Sequence, residues 1–68
     1  MSTIEQIGTT AGSVWRFLTA SGPSTLYALE KGIDAPKAVI AMAIGWLARE
    51  GKLHVEHEGR TVRYAARG

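Results

Sequence analysis

His54 and His57, three residues apart, are the pair in this chain that comes nearest to metal or acid–base chemistry. The stretch around them, KLHVEHEGRTVRYAA, alternates polar and apolar residues and reads as strand, where residues three apart point to opposite faces. The two histidines therefore share no metal without a further ligand. There is no cysteine, which excludes disulfides and thiolate zinc sites. No carboxylate pair, nucleophile beside a base or phosphate-cradling glycine loop occurs, and 68 residues leave little room for a substrate pocket. The sequence thus predicts a non-enzymatic protein with no metal, no other cofactor and no small-molecule substrate.

The chemistry that remains is ionic. Residues 1–34 carry two cations and three anions, whereas residues 35–68 carry six cations and three anions. The overall balance of +2 permits a nucleic-acid partner without demanding one. Arg60 and Arg63, with Lys52 and Arg67 nearby, are placed to meet phosphates, and Lys37 is a positioning cation at the head of a helix. Ser24, at the start of a short helix, offers backbone N–H groups to a phosphate, although helix capping accounts for Ser24 and Thr25 equally well. Acidic neighbours interleave the arginines: Glu58 lies beside Arg60, and Glu56 is diagonal to Arg63, so cross-strand pairing on a solvated face also explains these charges.

The elements that would position these residues follow from periodicity. Ser2 and Glu5 form a capping box for a first helix, in which Ile4, Ile7, Ala11, Val14, Trp15 and Leu18 make one stripe. Gly8 and Gly12 lie along the edge of that stripe, where they would let another helix approach closely. Phe17 sits off the stripe and is a candidate contact with something else. A Gly-Pro break precedes a short second helix over about 24–31, with Leu26 and Leu29 inward and Gly32 suited to a left-handed end. Asp34 can cap a third helix over about 35–50, with Pro36 in its first turn and Gly51 at its end. Beyond it the period changes to 2, and a turn at Glu58-Gly59 would pair Val55 with Val62 and Leu53 with Tyr64.

Three helices followed by a β-hairpin is the winged helix-turn-helix plan, an α+β fold in a single domain over residues 1–68. Residues 21–23 could add a short strand along the hairpin edge. The segments IGTTAGSVWRFL (7–18) and AIGWLAREGKL (43–53) resemble the signature segments of a small prokaryotic winged helix-turn-helix domain family of uncharacterised function. The resemblance runs over nearly the whole chain and implies kinship to DNA-binding regulators, with no established ligand or functional residues.

The third helix departs from a base-reading helix. Stepping by 100° places Val39, Ile40, Ala43, Leu47 and Trp46 toward the core and Lys37, Ala38, Ala41, Gly45, Ala48 and Arg49 outward. Trp15 and Trp46 both read as core anchors. No Asn, Gln, Ser or Thr occurs in this helix, so bidentate partners for adenine are missing. Three readings of the small-residue face compete: packing against Gly8 and Gly12 of the first helix, a homodimer seam, or close approach to DNA with affinity from phosphates.

Two functions follow. In the first, the chain binds double-stranded DNA modestly through its phosphates as a transcriptional regulator, with Ser24, Lys37, Ala38, Ala41, Arg60 and Arg63 as contacts. In the second, it is a protein-interaction or homodimerisation module using Phe17, Ala41, Gly45 and Ala48. A chain this short has a marginal core, which favours self-association. No apolar run of membrane-spanning length and no signal core is visible, which suggests a cytoplasmic protein without membrane contact.

Overall fold

The apolar stripe of the amino-terminal segment folds as α1 (Thr3–Ser21), followed by α2 (Leu26–Gly32), α3 (Lys37–Arg49), β1 (Leu53–Glu58) and β2 (Thr61–Ala66). The computed structural model describes residues 3–67. Ser2, the expected cap of α1, lies outside the described residues. From α1 the core receives Ala11, Val14 and Leu18, from α2 Leu29, and from α3 Ile40, Ala43, Ile44 and Leu47, with Leu53 closing it from the hairpin. The helical elements and the antiparallel two-stranded sheet are those of a winged helix domain. Among the described residues no helix is long and apolar enough to cross a membrane.

The helix boundaries are set by local chemistry that matches the expected caps only in part. Of Ser24 and Thr25, the two capping candidates, Thr25 is the N-cap of α2, its hydroxyl accepting from the Ala28 N–H at 3.2 Å. Ser24 instead bridges to the hairpin: its N–H donates to the Tyr64 carbonyl at 2.9 Å and its carbonyl accepts from the Tyr64 N–H at 2.8 Å. The extra strand expected over residues 21–23 is thus a single bridge at Ser24. Asp34 does not cap α3. Pro36 occupies that position without a side-chain bond, and its carbonyl accepts from the N–H groups of Val39 and Ile40. At the other end the Lys52 N–H bonds the Leu47 carbonyl and the Gly51 N–H bonds the Ala48 carbonyl, the two bonds of a Schellman motif.

Gly32 is not in the left-handed region, contrary to expectation; among the described residues the positive-φ glycines are Gly22, Gly51 and Gly59. Its lack of a side chain answers a different need, because the Phe17 ring lies directly over it and a Cβ there would collide with the ring. Phe17 is thereby partly buried against the core and not held free for a partner.

The hairpin register also differs from the expected one. Val55 pairs with Tyr64 and Leu53 with Ala66, because the loop is Gly59-Arg60, one residue later than Glu58-Gly59. Gly59 has φ +61 and Arg60 has no positive φ, the sign pattern of a type II′ turn with glycine first. A loop moved by one residue moves each partner by two, so the facing of every side chain survives while its neighbour changes. Along β1 the apolar face is covered only at its base: Leu53 is buried but Val55 is exposed.

The Phe17–Gly32 contact yields a stability prediction. Gly32→Ala is expected to lower unfolding stability by about 1–2 kcal/mol, the overpacking outweighing the better helix propensity of alanine. Chemical denaturation measures it, and an unchanged or raised midpoint would show that the ring can move aside.

Candidate nucleic-acid interface

α3 is the element that positions the candidate site, because one side of it is committed to the core. Val39, Ile40, Ala43, Ile44 and Leu47 are buried, so the side opposite must face out. Lys37, Ala38, Ala41, Gly45, Ala48 and Arg49 are all exposed, as their helical positions require. Trp46 is not the core anchor expected of it. It is 43% exposed, and Ile44 takes the buried place. Met42, 41% exposed, joins the outer face as well. From Ala38 to Ala48 no polar side chain interrupts α3, so the helix is apolar over its whole circumference although only half of it is covered.

Gly8, Gly12 and Gly45 do not serve packing between helices. A Cβ at Gly45 or Gly8 would meet nothing within 4 Å, and one at Gly12 would meet only the Arg16 Nη1 at 3.4 Å. The reading of Ala38, Ala41, Gly45 and Ala48 as an intramolecular contact with Gly8 and Gly12 is thereby overturned.

Cations bound this apolar strip at both ends. Lys37 is the first residue of α3, where no acidic side chain stands in the first turn, and Arg49 is the last. A lysine at a helix N-terminus faces the positive end of the macrodipole, a mildly unfavourable place that an external anion would relieve. On the hairpin, Arg60 sits exposed at the loop with no ion pair among the described residues. Arg63 is less available: its Nη1 lies 3.8 Å from Glu58 Oε1, and Glu56 is its direct cross-strand partner. His54 Nε2 lies 3.0 Å from Glu56 Oε2 on that same face. Among the described residues no group of three or more His, Asp or Glu side chains could hold a metal.

Ser24 is removed from the site. It is 8% exposed, its Oγ donates to the Gly22 carbonyl at 2.9 Å, and both its backbone groups are used by the bridge to Tyr64. The structure therefore assembles Lys37, Ala38, Ala41, Gly45 and Ala48 along one helix face and Arg60 and Arg63 along the hairpin, and leaves Ser24 buried and Phe17 half-buried over Gly32.

Sequence reading missed two things. One is the exposure of Met42 and Trp46, whose signal was present in the polar-free run of α3. The other is a half-open groove of about 810 Å³ between α1 and the end of α3, lined by Gly8, Gly12, Trp15, Arg16, Trp46 and Lys52 among others. Its signal was Gly8, Gly12, Trp15 and Arg16, which recur at one helical face.

A family model described as a winged helix-turn-helix domain (DUF2582) matches residues 1–64. No curated protein and no solved structure matches the chain.

Since Gly45 is surrounded by open space, Gly45→Ala is expected to raise unfolding stability by about 1 kcal/mol through helix propensity alone. Thermal or denaturant unfolding of dilute protein checks this. A loss of stability would mean that something does press on that backbone.

Proposed function

The chain belongs to the DUF2582 family of winged helix-turn-helix domains, and on that footing we propose that it binds double-stranded DNA through phosphates and not through base edges. The observation that carries this reading is Lys37, exposed in a first turn of α3 that holds no acid to balance it. With α3 against a duplex, Lys37 and Arg49 would reach the sugar-phosphate walls of a groove while Ala38 and Ala41 approach closely without reading bases. Arg60 at the hairpin loop would hold the next phosphate along. Such binding discriminates poorly between sequences, because alanine and glycine offer neither donors nor acceptors and at most contact a thymine methyl. In this proposal the domain is non-enzymatic and acts in the cytoplasm in transcriptional regulation.

A second reading rests on Met42 and Trp46. Two large side chains about two-fifths exposed beside Ala41 and Gly45 form the kind of apolar patch that soluble domains cover with protein. In that reading α3 is a homodimer or partner seam, and the cations at its ends stay solvated.

A salt titration of binding to mixed-sequence duplex separates the two. Lys37→Ala and Arg60→Ala are each expected to reduce the slope of log affinity against log salt by about 1, with a smaller change for Arg63→Ala because Glu58 already engages it. Unchanged binding in both variants, or no binding at low salt, overturns DNA recognition as stated. For the second reading, sedimentation of the wild type should show self-association that Ala41→Glu removes, and a wild type that stays monomeric when concentrated excludes the homodimer.

A further inference from the structure

We propose that the groove between α1 and the end of α3 is a binding site for a small aromatic anion, a flat ring system carrying a carboxylate. This does not depend on DNA recognition, since Lys37, Ala38, Ala41, Gly45 and Arg60 all lie outside the groove lining. At about 810 Å³ it lies in the size range of small-ligand sites. The chain's two tryptophans, Trp15 and Trp46, both line it. A flat ring entering there would meet two indoles and the side of Leu47, the surroundings in which aromatic stacking adds to area burial.

On the α1 side, part of the lining is bare backbone. Gly8 and Gly12 face the groove from α1, and no atom of the subunit forbids a side chain at Gly8. Two glycines inside a long helix cost about 1 kcal/mol each relative to alanine. Internal packing does not offset that cost, whereas a ring lying flat against the helix would use the space.

The rim decides the charge. Arg16, Lys52 and Arg67 line the groove against a single anion, Glu50, and none of the four is in an ion pair among the described residues. The Arg16 guanidinium lies back over Gly12, its Nη2 3.4 Å from the Ser13 hydroxyl, a weak tether that a carboxylate would outbid by accepting two parallel N–H bonds. Lys52 and Arg67 are already held together at the hairpin base, the Arg67 N–H donating to the Lys52 carbonyl at 2.7 Å, so two of the three cations stand on a fixed frame.

The test uses naphthoate as probe and naphthalenemethanol as its uncharged counterpart, each titrated into the full chain while amide and indole N–H resonances are followed. Naphthoate should shift both indole signals and the Gly8, Gly12 and Gly51 amides saturably, and bind roughly tenfold tighter than the alcohol. Arg16→Gln, Lys52→Gln and Arg67→Gln combined, three exposed positions, should erase that difference. Gly8→Leu should weaken both probes by filling that space. Shifts that do not saturate, equal affinity for the two probes in the wild type, or an advantage that survives loss of all three cations overturns the proposal. So does movement of the same groove resonances on simple dilution, which would mean that a second copy occupies the space.

Discussion

Everything outside the core follows from one commitment: α3 must bury five aliphatic side chains on a single side. Ile40 and Ala43 are wholly enclosed there, and Val39, Ile44 and Leu47 nearly so. Full burial of a large aliphatic side chain contributes about 1.5–3 kcal/mol. A domain of 68 residues has a net stability of only about 0.05–0.15 kcal/mol per residue, so no alternative rotation of α3 is tolerable. The rotation of the helix, and with it the identity of the outward residues, is set by the core and by nothing at the surface.

What that rotation leaves outside is unusual for the third helix of this fold. Recognition helices carry hydrogen-bonding side chains toward the groove, and here the same positions carry alanine, glycine, methionine and tryptophan. Polar function is displaced to the margins, to Lys37 and Arg49 at the helix ends and to the hairpin loop. The hairpin itself is only partly basic in effect, because Glu56 and Glu58 stand against Arg63 and leave Arg60 as its unpaired cation among the described residues. Whatever binds this surface meets an apolar strip between two charges.

The fold was legible because its signals are local and redundant. The α1 stripe, the change from period 3.6 to 2 after Gly51 and the alternation along the hairpin each survive an error of a residue. Facing on the hairpin was legible even though the loop was misplaced, because a two-residue slip of partners preserves parity. Trp46 and Ile44 were not legible. Both lie at the edges of the α3 stripe, and which edge is covered depends on where α1 crosses, a tertiary fact that helical spacing does not contain. Gly32 misled for a similar reason: a terminal glycine suggests a left-handed cap, and only the position of the Phe17 ring shows that close approach is its role. The groove beside Gly8 and Gly12 was read as helix contact because small residues look the same whether protein or empty space lies against them.

The orientation of α3 governs both proposed surfaces, and side-chain accessibility reads it without a partner. A soluble paramagnetic chelate added to dilute protein relaxes methyl protons according to their exposure, with no partner required. The methyls of Ala38, Ala41 and Ala48 should broaden strongly, while those of Ile40, Ala43 and Leu47 stay sharp. Equal broadening of Ala41 and Ala43, or sharp signals from Ala41 beside broadened ones from Leu47, would contradict the account at its root.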